Sequence, residues 1–344
     1  MATTLKHSIP VAWSEETTQG MMDMSPMPAT KKWKGSHVFE SEAMDITPQK
    51  PKQTMVARPF GVRRGMDKIW GVQSEDCFQL MLERENLHRD YLPNAKWLQY
   101  RRVLVDWMCE AGDEFNLHLS TMHVSVMLLD RILHSVNVTR NKLQLVAIAC
   151  ILIAAKYEET EEAVPSLKDM DCYAEYDYGN EAIYNMEIHV LTKLNWCLGT
   201  ATPLHFAGYF MSKGVLFVTA TSKGDIKSEY TDTMQGRPLS LVKKVPQYLK
   251  RYVEFFADLC LQDYSFQQYA PSLMSAAIIM ASRRALGISP IWRPELAVLT
   301  TYPEEQVVPC FQAIWQCYRN NFPAAPQTGA DEIYNSPESV QQQQ

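Results

Sequence analysis

Residues 142–159 read KLQLVAIACILIAAKYEE, and the fold follows from how this stretch is taken. From Leu145 to Ala155, eleven consecutive residues carry no polar side chain. That is well short of the ~20 apolar residues that span a bilayer. As a helix the run is apolar all the way round, so it belongs in the middle of a core rather than along its edge. Ala147, Ala149, Ala154 and Ala155 let neighbouring helices approach it closely. A buried β-strand is the rival reading, but the run is long for a strand and rich in Ala, a poor strand former. The end of the stretch is less easily explained. A helix C-terminus carries partial negative charge and favours cations, yet Lys156 is followed by Glu158, Glu159, Glu161 and Glu162. This acidic cluster is either a solvated loop or serves something other than its own helix.

Working outward, helical spacing recurs on both sides. Residues 76–91 read as a charged amphipathic helix ended by Pro93. A helix over 96–111 carries Trp97, Tyr100, Val103, Leu104, Trp107, Met108 and Ala111, with Gly112 as its expected C-cap. Ser120 is placed to cap a helix running to His134, and Thr139 to cap the central one. A short helix over 165–175 and a longer one over 181–196 complete a set of five after the opening helix. Residues 198–202 form a linker, and Thr202-Pro203 starts a new helix with a cap and a first-turn proline. Residues 214–237, rich in Gly, Thr, Ser and Lys, look like a mobile insertion. A long helix over 239–261 contains Pro246, which is expected to kink or divide it. Residues 271–286 repeat the opening theme with the small apolar run 276–281, and helices over 293–300 and 303–320 follow. The second half thus also holds about five helices, which suggests a diverged internal duplication.

The chain of 344 residues is long enough for about two domains plus tails. With 46% hydrophobic residues, a sizeable core can form. A net charge of −6 argues against wholesale nucleic-acid binding. Eight cysteines are scattered without a C-x-x-C pair, and Cys150 and Cys260 lie inside apolar runs where a reduced thiol packs as a small hydrophobe. Together with the lack of a signal peptide or membrane span, this points to an intracellular, reducing compartment. The expected organisation is a disordered tail over 1–73, a first helical domain with its preceding helix over 74–198, a second over 199–322 containing the insertion, and a disordered tail over 323–344. Lys31, Lys32 and Lys34, and Arg63 and Arg64, form small basic clusters. Either a solvated charge run or a role in nuclear import accounts for them. Thr47-Pro48-Gln49-Lys50 is a proline-directed phosphorylation site in an accessible tail.

No catalytic constellation is present. The chain has no Gly-rich phosphate loop, no H-E-x-x-H and no nucleophile elbow. His118 and His123 are five apart, about 140° round a helix, and do not share a face as metal ligands would. No cofactor and no metal site are expected, and a binding module is favoured over an enzyme. The informative residues are charges inside apolar helices. Asp130 sits in MLLDRIL; if buried it needs a partner, because an unpaired buried charge costs several kcal/mol. Arg101 on the preceding helix is the candidate.

At these residues the chain resembles the cyclin family. Arg101-Arg102-Val103-Leu104-Val105-Asp106-Trp107, Leu129-Asp130-Arg131, Lys142-Leu143-Gln144-Leu145, Ala155-Lys156-Tyr157-Glu158-Glu159 and Met186-Glu187 look like the cyclin box. The residues that mark that box match at Arg101, Asp130, Leu145, Lys156 and Glu187. The resemblance covers about residues 74–322. It implies an all-α fold of two five-helix cyclin repeats with an extra N-terminal helix. In the second repeat, Leu261-Gln262-Asp263-Tyr264, Tyr269-Ala270-Pro271-Ser272-Leu273 and Ser289-Pro290-Ile291-Trp292 most resemble the J branch of the family.

The resemblance implies a regulatory subunit of a cyclin-dependent kinase, acting in cell-cycle control and doing no phosphoryl chemistry itself. Lys156, Tyr157, Glu158, Glu159 and Glu187 would contact the kinase's mobile helix, whose Glu must pair with the ATP-positioning Lys. Val103, Leu104, Trp107, Glu110, Leu143 and Gln144 match the family's docking patch, suited to Arg/Lys-x-Leu peptides of substrates or inhibitors. Tyr100 stands where many members have Met, and Arg102 where they have Ala. The tail lacks an Arg-x-x-Leu destruction box. The rival readings are a kinase-independent cyclin-fold adaptor and a transcription-associated binding protein. Retention of Lys156 and Glu187 disfavours the first, and the acidic charge disfavours a DNA-binding relative.

Overall fold

A computed structural model of the chain describes residues 75–85, 91–220, 226–229 and 244–322. Thr47, the two basic clusters and both tails lie outside the described residues.

The all-apolar run forms helix α4, Leu143–Glu158, and every residue from Leu145 to Ala155 is buried. Four helices surround it: α2 (Leu98–Glu114), α3 (Leu119–Ser135), α5 (Leu167–Tyr173) and α6 (Asn180–Lys193), of which α3 and α6 pack on it most extensively. The pattern then repeats. Helix α9 (Pro271–Ala285) is buried from Met274 to Arg284. It lies among α7 (Pro203–Lys213), α8 (Val245–Gln262), α10 (Pro294–Thr300) and α11 (Glu304–Asn321). The result is an all-α architecture of two five-helix repeats. Each repeat has its own apolar core, and the cores exchange one residue: Leu119 of α3 packs with the second, Leu261 of α8 with the first. All eight cysteines are free thiols, and burial pushes the Cys150 thiol up.

The opening helix α1 (Glu75–Glu85) precedes the first repeat in sequence but packs in the core of the second. Phe78 stacks on Tyr209 with ring centroids 4.2 Å apart and meets Phe206 edge-on at 6.1 Å. The buried Glu85 carboxylate accepts the Ser272 backbone N–H at 3.0 Å. It thereby satisfies one of the orphan donors in the first turn of α9. The helix thus precedes the first repeat in the chain while its buried aromatic side chain packs in the core of the second.

Several local expectations change for steric reasons. Gly112 is not a C-cap but lies inside α2, where a Cβ would sit 2.5 Å from Met122 Sδ. The glycine lets α2 and α3 approach at that point. Helix α2 instead closes with Asn116 at φ 53° and the Leu117 N–H on the Gly112 carbonyl at 2.9 Å. Neither Ser120 nor Thr139 caps a helix by its side chain. Pro246 falls in the first turn of α8, where its missing N–H is an orphan anyway, so no interior kink arises. Thr202 does cap α7, in a reciprocal box with His205: Thr202 Oγ1 accepts the His205 N–H at 3.4 Å, and His205 Nδ1 accepts the Thr202 N–H at 3.2 Å.

The insertion contains a two-stranded antiparallel ribbon, β1 (Val218–Ala220) and β2 (Ile226–Ser228), with Val218 opposite Ser228. Glu229 ties it to the second repeat. The fully buried Arg283 of α9 donates to Glu229 Oε1 at 2.6 Å and Oε2 at 3.0 Å, and to the carbonyls of Val215, Pro290 and Ile291. These bonds use all the guanidinium N–H groups. Arg293 adds a bond to Glu229 Oε2 at 3.3 Å.

Candidate functional site

The last turn of α4 brings Lys156 to the surface, with its side chain 52% exposed. Its ammonium donates to Glu187 Oε1 on α6 at 2.6 Å. Glu187 falls on the buried stripe of α6 with Ile183 and Val190, and its side chain is only 4% exposed. Its other oxygen, Oε2, is buried and accepts no hydrogen bond among the described residues. Exposed apolar side chains lie next to the pair in the chain or within one helical turn of it, Tyr157 beside Lys156 and Tyr184 and Ile188 on α6, and Trp196 after the end of α6 is also exposed. The last three were missed in sequence. The i, i+4 spacing of Tyr184 and Ile188, one position out of step with the buried stripe, is the signal that marks them.

The acidic cluster divides. Glu159 turns inward, its side chain 1% exposed. It accepts the His118 N–H at 2.6 Å and the Thr121 hydroxyl at 2.7 Å, at the N-terminus of α3. A carboxylate misplaced for its own helix is thus well placed for the next, where the dipole is positive. Glu159 is therefore not available as a direct partner contact, which corrects that assignment. Glu158 is partly buried, with Oε1 3.9 Å from His205 Nε2. Burial and the neighbouring Glu159 carboxylate raise its pKa. Burial, with His123 nearby, lowers His205 to about 4.

Between α2 and α3, Arg101 and Asp130 meet at 2.8 and 2.9 Å through Nε and a terminal nitrogen. The remaining guanidinium nitrogen donates to the Gln262 carbonyl at 3.1 Å, and the group lies 5.3 Å over the Tyr264 ring. Burial alone would lower the Arg101 pKa; Asp130 outweighs it and holds it above its ordinary value. His123 and Asp258 form a second buried contact across the repeats at 3.1 Å.

The docking positions also divide. Val103 is exposed and Trp107 half-buried, its ring 5.9 Å from Tyr173. Leu104 and Leu143 are buried in the first core, so the expectation that they line an open groove is corrected. Gln144 accepts from the Glu175 N–H at 3.3 Å and the Tyr178 hydroxyl at 3.4 Å, which fixes the loop between α5 and α6. Glu110 lies near Tyr173, whose pKa rises through burial and then through Glu110, Glu114 and Asp113. Arg140 stacks over Tyr100 at 5.7 Å. Among the described residues no group of three His, Cys, Asp or Glu side chains could hold a metal, and no helix is long and apolar enough to cross a membrane.

Two five-helix repeats, each built round one buried helix, define the cyclin fold. Residues 76–199 match the cyclin N-terminal domain and residues 202–344 the cyclin C-terminal domain; the chain belongs to the cyclin family. It is 28% identical over 263 residues to Cyclin-J of Xenopus laevis, a match covering 74% of this chain and 65% of that protein. It is 30% identical over 235 residues to the G2/mitotic-specific cyclin S13-7 of Glycine max, covering 68% of this chain and 79% of that one. The match thus spans just under two thirds of the J-type relative. Among solved structures, a viral cyclin from herpesvirus saimiri shares the fold at a TM-score of 0.51 and 17% identity, covering 72% of this chain and 98% of that one.

Proposed function

We propose that the chain is the activating, non-catalytic subunit of a cyclin-dependent Ser/Thr kinase in cell-cycle control, acting chiefly in the nucleus. The observation that carries this reading is the Lys156–Glu187 pair. Its lysine is half exposed, its carboxylate is buried with one oxygen unsatisfied among the described residues, and the exposed side chains of Tyr157, Tyr184 and Ile188 lie next to it in the chain or one helical turn away. A buried carboxylate oxygen left without a hydrogen bond costs the fold about 1–3 kcal/mol, so stability alone does not account for the arrangement. Backbone groups of a partner helix would complete the hydrogen bonding while its apolar side chains cover Tyr157, Tyr184, Ile188 and Trp196. The kinase is activated if its active conformation binds better than its inactive one. Shifting that equilibrium from 1:99 to 99:1 takes about 5.5 kcal/mol of preference. Substrate or inhibitor peptides dock beside Val103 and Trp107, with Glu110 receiving a basic side chain.

The test is purification of the tagged chain, identification of any co-purifying kinase subunit by mass spectrometry, and assay of histone phosphorylation by that kinase with and without the chain. A kinase that binds and gains activity supports the proposal. Capture of other proteins only, with no kinase, supports an adaptor instead.

A further inference from the structure

A cleft of about 270 Å³ opens between the two repeats, walled by α3, the linker 194–202, α8 and α9. Its apolar lining includes Met127, Leu194, Leu261 and Met274. Four fully charged side chains also line it, and the two signs are treated differently. The carboxylates are engaged: Asp130 by Arg101, Glu85 by the Ser272 N–H. The cations, Arg131 and Lys193, have no carboxylate within ion-pair distance among the described residues. One terminal nitrogen of Arg131 donates to the Cys197 carbonyl at 2.7 Å and to Thr200 Oγ1 at 3.1 Å, both neutral acceptors. These bonds hold the guanidinium in place through one nitrogen. They leave the edge formed by Nε and the other nitrogen, the edge suited to bidentate recognition of an oxyanion, without a partner among the described residues. Burial lowers the Arg131 pKa, as expected of a cation short of counter-charge. Lys193, at the end of α6, is exposed.

We propose that this cleft binds an anionic group carried on an apolar stem. The oxyanion, a carboxylate or a phosphate monoester, is held by Arg131 and Lys193, and the stem lies against Met127, Leu261 and Met274. Such a ligand would touch both repeats, and clefts between such units are common locations for small-ligand sites. The inference does not depend on kinase binding, because none of its residues belongs to the proposed partner face.

The test is calorimetric titration of the full chain at fixed ionic strength with phenyl phosphate and with hexanoate, using 1-hexanol as the neutral control. Saturable one-to-one binding of at least one anion is expected, weakened tenfold or more by Arg131→Gln and by Lys193→Gln. The exposed Lys168→Gln serves as a control and should bind like the parent chain. Lys193 makes no ion pair among the described residues, so its variant reports on binding even if Arg131→Gln disturbs the linker. Response to phenyl phosphate alone assigns the site to phosphate monoesters, and response to hexanoate alone to carboxylates. No saturation by either anion up to about 10 mM, the weak end for fragments of this size, overturns the proposal. So does hexanol binding as well as hexanoate, or unchanged affinity in either cleft variant.

Discussion

Arg101 meets Asp130 edge-on, through hydrogen bonds of 2.8 and 2.9 Å, with the two side chains 2% and 8% exposed. Because the same guanidinium also holds the Gln262 carbonyl, the pair joins α2 to α3 and both to the end of α8. Asp130→Ala leaves Arg101 buried and unpaired. It should cost about 3–5 kcal/mol, read as a lower midpoint in chemical denaturation. An unchanged midpoint would mean that water or another group replaces the carboxylate at no cost.

Glu159 gives a second stability prediction. Its carboxylate is the acceptor for two donors at the start of α3. Glu159→Ala should destabilise by about 1–3 kcal/mol, while Glu159→Gln, which keeps an acceptor oxygen, should cost less. Thermal melts of the two variants decide it. Equal losses would show that the charge, not the hydrogen bonding, carries the effect.

The insertion is held by a saturated buried guanidinium. Glu229→Ala should therefore destabilise the second repeat by about 3–5 kcal/mol, since Arg283 would keep its carbonyl partners but lose its counter-charge. Hydrogen exchange should show the loss of protection concentrated in α9 and α7. Wild-type protection in this variant would mean that the ribbon is merely tethered.

His205 supplies a pH prediction. Its folded pKa of about 4 lies below the ordinary value of 6.5, so the unfolded chain binds the extra proton first. The stabilising contribution is full above pH 6.5 and is lost as the pH falls toward 4. Over that window the loss should be about 1–3 kcal/mol. His205→Gln should flatten the difference; an identical pH profile for parent and variant would contradict the assignment.

Much of the architecture is legible in the sequence because it is written in local pattern. The apolar run 145–155 has no polar side to expose, and it forms the centre of a bundle. The cap at Thr202 is equally local. What the sequence hides depends on partners distant in the chain. Gly112 follows an apolar stripe and reads as a helix end; its reason is the Met122 sulfur on another helix. Glu159 is anomalous on its own helix and explicable only once α3 is seen to start beside it. Phe78 carries no mark that its stacking partner, Tyr209, lies in the other repeat. Val103 and Leu104 are adjacent in the chain, and only the packed structure shows that Leu104 is taken into the first core while Val103 stays exposed.

The most direct test of the central claim is a binding and activity measurement on Lys156→Ala combined with Glu187→Ala. Truncating one partner of a desolvated, hydrogen-bonded charge pair at an interface costs about 2–5 kcal/mol, or roughly 30- to several-thousand-fold in affinity. The double variant should lose co-purification of a cyclin-dependent kinase and the accompanying histone phosphorylation, with only a small fall in melting temperature. Lys156→Ala alone, at a half-exposed position, should weaken binding without disturbing the fold. A folded double variant that binds and activates the kinase as the parent chain does would contradict the account.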